Sequence, residues 1–286
     1  MSVSVTIETV TPEMAKQFLR CSNRNRRIDP RLVDMIARDI RNGKWEVTNQ
    51  GVGFDKNGEF KDGHHRCLGI IKANTPVQMM VARGMEPTAV LAIDRGNTRK
   101  VRDVLDMSVN HIDGRDSILC DKSIVCAINQ LVRCTYGRVK LSAYETIRVF
   151  NALEGPITSM HNAMVTKQNY RQNTAPVIAA AIAAVACGVD PEAVGRFFGV
   201  FNKGDVTGCE GMNINAPMSW RHVIDAAKVK HVRIDQKKLY LGTQNAIFHF
   251  VNNTDAKTAR VPSVPRYDVS KRISEALEIK DETGAA

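Results

Sequence analysis

Residues 54–73, FDKNGEFKDGHHRCLGIIKA, leave the chain few choices. Gly51 to Phe54 read as a short apolar strand. Asp55-Lys56-Asn57-Gly58 read as a hairpin turn, with Gly58 supplying the positive φ that such a turn needs. Glu59-Phe60 return as a second strand. Asp62-Gly63 then break the strand, and Leu68, Ile70, Ile71 and Ala73 mark the apolar face of a helix. The motif Asp62-Gly63-His64-His65-Arg66 therefore falls where a loop becomes a helix. Such a junction offers backbone N–H groups and the positive end of the helix dipole. Gly63 lets a ligand approach the backbone. His64, His65 and Arg66 add donors and one permanent positive charge. Together these features describe an anion pocket suited to phosphate. A plainer reading also fits: Asp62 caps the helix, and the two histidines are solvated first-turn residues.

The elements on either side extend this pattern. Residues 3–8 alternate as an opening strand. Thr11-Pro12-Glu13 start a helix that runs through Leu19. Asn23-Arg24-Asn25-Arg26-Arg27 form a basic loop, either solvated or contacting phosphates. Asp29-Pro30 open an amphipathic helix with Leu32, Val33, Ile36, Ala37 and Ile40 on one face. Gly43 ends it, and Trp45 packs back on it. Its other face mixes Arg31, Arg38 and Arg41 with Asp34 and Asp39, the usual composition of a solvated face. Val77 to Val81 give another strand, and residues 86–93 a short helix. Asp94 to Lys100 form a second basic loop. Arg95, Arg99, Lys100 and Arg102 make it a second candidate phosphate-contact segment.

Beyond Gly114 the strand signals fade. Helices are expected over about 116–135, 142–153, 155–166, 175–187, 190–201, 217–229 and 237–250. Residues 203–215 read as a Gly-rich polar loop. Residues 228–238 are basic and would extend a nucleic-acid surface. Pro and charge dominate from Asn252 onward, which predicts a flexible tail. The expected fold class is α+β, with a small mixed-sheet domain over 1–112, a helical domain over 113–252 and a tail over 253–286.

Composition limits the partners. Apolar residues make up 43% and charged residues 24% of the chain, ordinary values for a packed core. A formal charge of +10, not confined to one tail, favours a polyanion such as DNA. Seven cysteines with no CxxC pair and no zinc spacing read as reduced thiols, and so as a cytoplasmic protein. No signal peptide is read in residues 1–10. The apolar run 177–187 is too short to span a bilayer, so no membrane partner is expected. The oligomeric state stays open.

The NRNRRIDP entry, the helix ending in NGKW, the FDKNGEFKDGHHR unit and the later AIDRGNTRK stretch together resemble the ParB/sulfiredoxin superfamily. The likeness is strongest to ParB-like proteins of phages and mobile elements that carry a DGQHR-type motif. It covers a little over one third of the chain. It implies a small domain whose motif loop binds a nucleotide or phosphate. In partition ParB the slot reads G-E-R-R and helps bind a nucleoside triphosphate; here it holds Gly63, His64, His65 and Arg66. In sulfiredoxin it reads G-C-H-R with a catalytic thiol. His64 stands at that Cys position and Cys67 lies beyond the arginine, so thiolate chemistry lacks its atom.

The expected function is a nucleotide- and DNA-binding ParB-like protein acting on DNA or regulating its handling. In it, Arg66 clamps a phosphate while Arg24, Arg26, Arg27, Arg95, Arg99, Lys100 and Arg102 line the approach. One alternative is a nuclease or phosphotransferase, with His64 or His65 as general acid or base and Asp62, with Asp55 or Asp94, holding Mg²⁺. Another is a non-catalytic interaction protein.

Overall fold

A computed structural model describes residues 2–22, 28–91, 122–137, 139–165, 174–254 and 260–278. Its contacts divide the chain into two compact units. One holds residues 1–100 together with 140–144, and the other holds 101–139 and 145–286. The expected boundary near residue 112 lies outside the described residues.

Among the described residues, the first unit is a four-stranded mixed sheet carrying three helices. The order along the chain is β1 (Ser4–Val10), α1 (Pro12–Arg20), α2 (Pro30–Arg41), β2 (Val52–Asp55), β3 (Phe60–Asp62), α3 (His64–Ala73) and β4 (Val77–Met85). A 3₁₀ turn follows over Pro87–Leu91. The strands lie in the order β1-β4-β2-β3. β4 pairs antiparallel with β1, Val10 opposite Val77, and parallel with β2, Val52 opposite Val81. The return from β2 to a parallel β4 is made through β3 and α3.

Local chemistry sets the helix starts. Thr11 accepts from Met14 N at the head of α1, and Asp29 accepts from Arg31 N at the head of α2; each helix then begins on a proline. The core joins Val10, Ala15, Ala37 and Ile40 to Val52, Phe54, Phe60, Cys67, Ile70, Met79 and Val81. Trp45 packs against this core, as expected, and its Nε1 donates to Gln78 O.

The charged face of α2 departs from the solvated reading. Arg38 donates to the carbonyl of Lys140 at 2.7 Å, and Asp39 accepts from the Ser142 hydroxyl at 2.8 Å. The Tyr144 hydroxyl donates to Glu46 at 2.7 Å. Polar side chains on α2 and just after it thus hold residues 140–144 in the first unit. Their partners lie about a hundred positions away, beyond the reach of local pattern.

The second unit is helical: α4 (Lys122–Tyr136), α5 (Ala143–Ala152, assigned to this unit from Glu145 onward), α6 (Glu154–Val165), α7 (Ala175–Ala186), α8 (Pro191–Lys203), α9 (Asn215–Val229), α10 (Gln236–Val251) and α11 (Ser270–Leu277). α7 carries apolar residues all the way round and sits at the centre, touching α4, α6, α8 and α10. Phe197, Phe198, Phe201 and Phe250 stack beside it with neighbouring ring centroids 5.3–6.2 Å apart. No described helix is long and apolar enough to cross a membrane.

The expected flexible tail is corrected over residues 260–278. Gln244 on α10 treats this segment as a strand would. Its Oε1 accepts from Arg266 N and Tyr267 N, and its Nε2 donates to Tyr267 O, all within 3.1 Å. Asn245 donates to Arg260 O, and the Arg266 guanidinium lies 4.7 Å from the Phe248 ring centroid. α11 then buries Ile273 and Leu277. A Pro- and charge-rich stretch is ordered because side chains, rather than a sheet, satisfy its backbone.

Candidate functional site

The motif lies where expected, between β3 and α3, but its side chains are committed differently. Gly63 is the N-cap of α3, with φ 106°, and no side chain caps the helix. A Cβ at this position would lie 2.5 Å from Val52 Cγ1. Glycine is therefore required by the backbone conformation and by packing against β2, before any ligand approaches. Asp62 is not the helix cap. One of its oxygens accepts from Gly63 N at 2.7 Å and the other accepts from Arg66 Nη2 at 2.9 Å. The pair neutralises the one fixed cation of the first turn. The Arg66 Nε is buried and has no hydrogen-bond partner among the described residues.

Neither histidine is a solvated first-turn residue. His64 is only 9% exposed. Its ring lies against Phe60, 4.4 Å between centroids, and its Nε2 is 2.9 Å from the Ser22 hydroxyl. His65 accepts the backbone N–H of Asp29 on its Nε2 at 3.0 Å. Its Nε2 is thereby committed as an acceptor toward the backbone. The two rings thus bind the two flanks of the Arg-rich segment 23–27. Ser22 precedes it, and Asp29, the cap of α2, follows it. Ser22 and Asp29, on either side of positions 23–27, are thus both tied to the start of α3, a linkage that spacing along the chain does not reveal.

Arg24, Arg26 and Arg27 lie outside the described residues, as do Arg95, Arg99, Lys100, Arg102 and Asp94. The structure therefore brings together Asp62, Gly63, His64, His65 and Arg66 and leaves the remaining cations of the expected interface unplaced.

Asp55 is a turn anchor. It is 2% exposed and accepts from Asn57 N and Glu59 N at 2.9 Å each, with Lys61 Nζ 3.3 Å away. Burial pushes its carboxyl up, but the two N–H groups and the Lys61 ammonium outweigh that and hold it below the ordinary range. With Asp55 and Asp62 both engaged, this arrangement does not fit a divalent cation. Among the described residues, no group of three His, Cys, Asp or Glu side chains gathers for a metal. Cys67 is fully buried, and burial pushes its thiol up to about 12, so it stays protonated at neutral pH.

Sequence reasoning missed a cleft of about 770 Å³ between the end of α1, β1 and the start of the hairpin turn. Ser4, Phe18, Cys21, Phe54, Lys56 and Arg83 line it, and no motif residue does. Arg83 lies over the Phe54 ring and is ion-paired with Glu8. Lys56 is paired with Glu86 at 2.8 Å. Its two cations being matched internally, the cleft has little charge left for a ligand. No protein-family model, curated protein or solved structure matches the chain.

Proposed function

We propose that the start of α3 binds the phosphates of a nucleotide and that the protein acts on DNA or regulates its handling, in the manner of a ParB-like protein. The observation that carries this reading is the pair of histidine contacts to Ser22 and Asp29. They tie both flanks of a segment with three arginines to a helix start that has no side-chain cap. Arg66 stands on the first turn of that helix, and its partner Asp62 is a weak competitor for it. The pair is a single contact through Arg66 Nη2 at 2.9 Å, and it leaves the buried Nε without a partner. An incoming phosphate would replace one carboxylate oxygen with several stronger acceptors.

On this reading the histidines position Ser22 and Asp29 and do not shuttle protons. Acid–base work by His64 or His65, or metal binding by Asp62, would require these side chains to leave their present partners. Binding is therefore favoured over the nuclease and phosphotransferase alternatives.

The test is thermal stability with ATP, GTP, CTP and UTP plus Mg²⁺, on wild type and on Arg66→Ala. A matching nucleotide at a hundred times its Kd stabilises the wild type by about 2.7 kcal/mol. Arg66→Ala, which loses one part-buried pair and no core residue, stays folded and loses that response. Absence of a shift with all four nucleotides and with inorganic triphosphate overturns the nucleotide reading. Turnover of the bound nucleotide, or cleavage of added DNA, would reinstate the enzyme.

A further inference from the structure

The turn that joins α9 to α10 in the second unit has no role in the site above. Lys228, Lys230, Arg233, Lys237 and Lys238 fall within eleven residues, with Asp235 the one acid among them. Lys228 is paired with Asp225 at 3.3 Å. The other four cations are exposed and have no ion-pair partner among the described residues. Asp235 is occupied as the cap of α10, accepting from Lys237 N and Lys238 N.

The backbone of the turn is well defined. His231 adopts φ 53°, and the N–H groups of His231 and Val232 close the end of α9 on Lys228 O and Ala227 O. The cations are therefore held on a formed scaffold. They also work against its stability. Lys237 and Lys238 occupy the first turn of α10, where the helix dipole disfavours positive charge. Four cations within nine residues, with the single carboxylate of Asp235 among them, repel one another. Val229 and Val232 stand among them, 79% and 60% exposed, so the turn does not serve burial either.

We propose that Lys230, Arg233, Lys237 and Lys238 form a phosphate-contacting surface that holds duplex DNA without reading its sequence. The proposal rests on the DNA half of the reading above and is independent of the nucleotide pocket. An anionic bilayer is the less favoured partner. Segments that insert at a membrane interface carry Trp, Phe or Leu beside their cations, and residues 228–238 contain none of these.

The test uses the full chain and fluorescence anisotropy of a labelled 25-base-pair duplex over a range of salt concentrations. The variant is Lys230→Gln/Arg233→Gln/Lys237→Gln/Lys238→Gln. A charge-matched control replaces the exposed Lys16, Lys122, Lys271 and Arg272 by Gln. Each phosphate contact contributes about 0.9 to the slope of log affinity against log salt, so four contacts contribute about 3 to 4. The turn variant should lose that much slope, each half of it (230/233 or 237/238) about half as much, and the control far less. The turn variant should unfold no lower than the wild type, because all four side chains are solvated and removing their repulsion does not destabilise the turn. An unchanged slope in the turn variant, an equal loss in the control, or no wild-type binding to duplex overturns the proposal. So does loss of binding to phosphatidylserine vesicles with DNA binding intact. A turn variant that loses DNA while nucleotides stabilise neither wild type nor Arg66→Ala would sink the pocket and leave this surface standing.

Discussion

Gly63→Ala tests how the motif is built. The substitution adds a methyl where two constraints meet. At φ 106° an L-residue is strained, which costs about 1–3 kcal/mol. The new Cβ would also lie 2.5 Å from Val52 Cγ1 and 3.2 Å from Val52 Cα. Val52 is 3% exposed and hydrogen-bonded into the sheet opposite Val81, so it cannot move aside freely. Overpacking of this kind costs a further 1–3 kcal/mol or so. The expected total is about 2–6 kcal/mol. Gly58→Ala is the control: its φ is also positive, at 79°, but nothing lies within 4 Å of its added Cβ. It should show the backbone cost alone. The assay is hydrogen exchange read by mass spectrometry across residues 52–73 in denaturant, with α7 as an internal reference. In a Val52→Ala background the Gly63→Ala penalty should shrink by about 1–3 kcal/mol. Equal penalties at Gly63 and Gly58, or no relief from Val52→Ala, would refute the packing argument. The glycine would then be there to admit a ligand.

Further expectations concern single groups. Iodoacetamide at pH 8 should label the exposed Cys21, Cys126 and Cys187 and spare Cys67 until the chain is unfolded, since its thiol sits at about 12; early labelling of Cys67 would mean that the first unit opens readily. The Arg83 hydrogen bond holds the Glu8 carboxyl below its ordinary range, and Asp55 is held low as well. A group whose folded pKa is depressed stabilises the fold above its unfolded value. Protection of the first unit should therefore be complete above about pH 4 and decline as pH falls below it. Asp55→Asn should flatten that decline, and an unchanged acid profile in the variant would assign it elsewhere. Gln244→Ala strands the buried N–H and carbonyl of Tyr267 and frees the part-buried N–H of Arg266, for about 2–4 kcal/mol; limited proteolysis should then release residues 260–278 first, and an unaltered digest would count against the clasp.

What the sequence disclosed follows from the range of the interactions involved. The β2–β3–α3 unit was legible because turn, break and helix face lie within twenty residues. Helix starts at Pro12, Pro30 and Pro191 were legible because each cap sits next to its proline. α7 declared itself by being apolar on every side. The roles of His64 and His65 were hidden because their partners lie 42 and 36 positions away. The chemistry of an imidazole is the same whether it holds a phosphate or a serine, so residue type alone could not choose. Arg38 and Asp39 looked solvated for the same reason: their partners are about a hundred residues downstream. The ordered segment 260–278 was missed because its hydrogen bonds come from the side chains of Gln244 and Asn245, which leave no periodic trace in the segment they hold.

The double histidine clasp has a consequence for how this protein can change. Ser22 follows α1 and Asp29 caps α2, so the first turn of α3 grips the exit of one helix and the entry of the next. A substitution at either imidazole should therefore be felt outside α3, at the end of α1 for His64 and at the head of α2 for His65. The histidine pair is thus a hinge-pin for the helical layer: three helices share one fastening point on the chain.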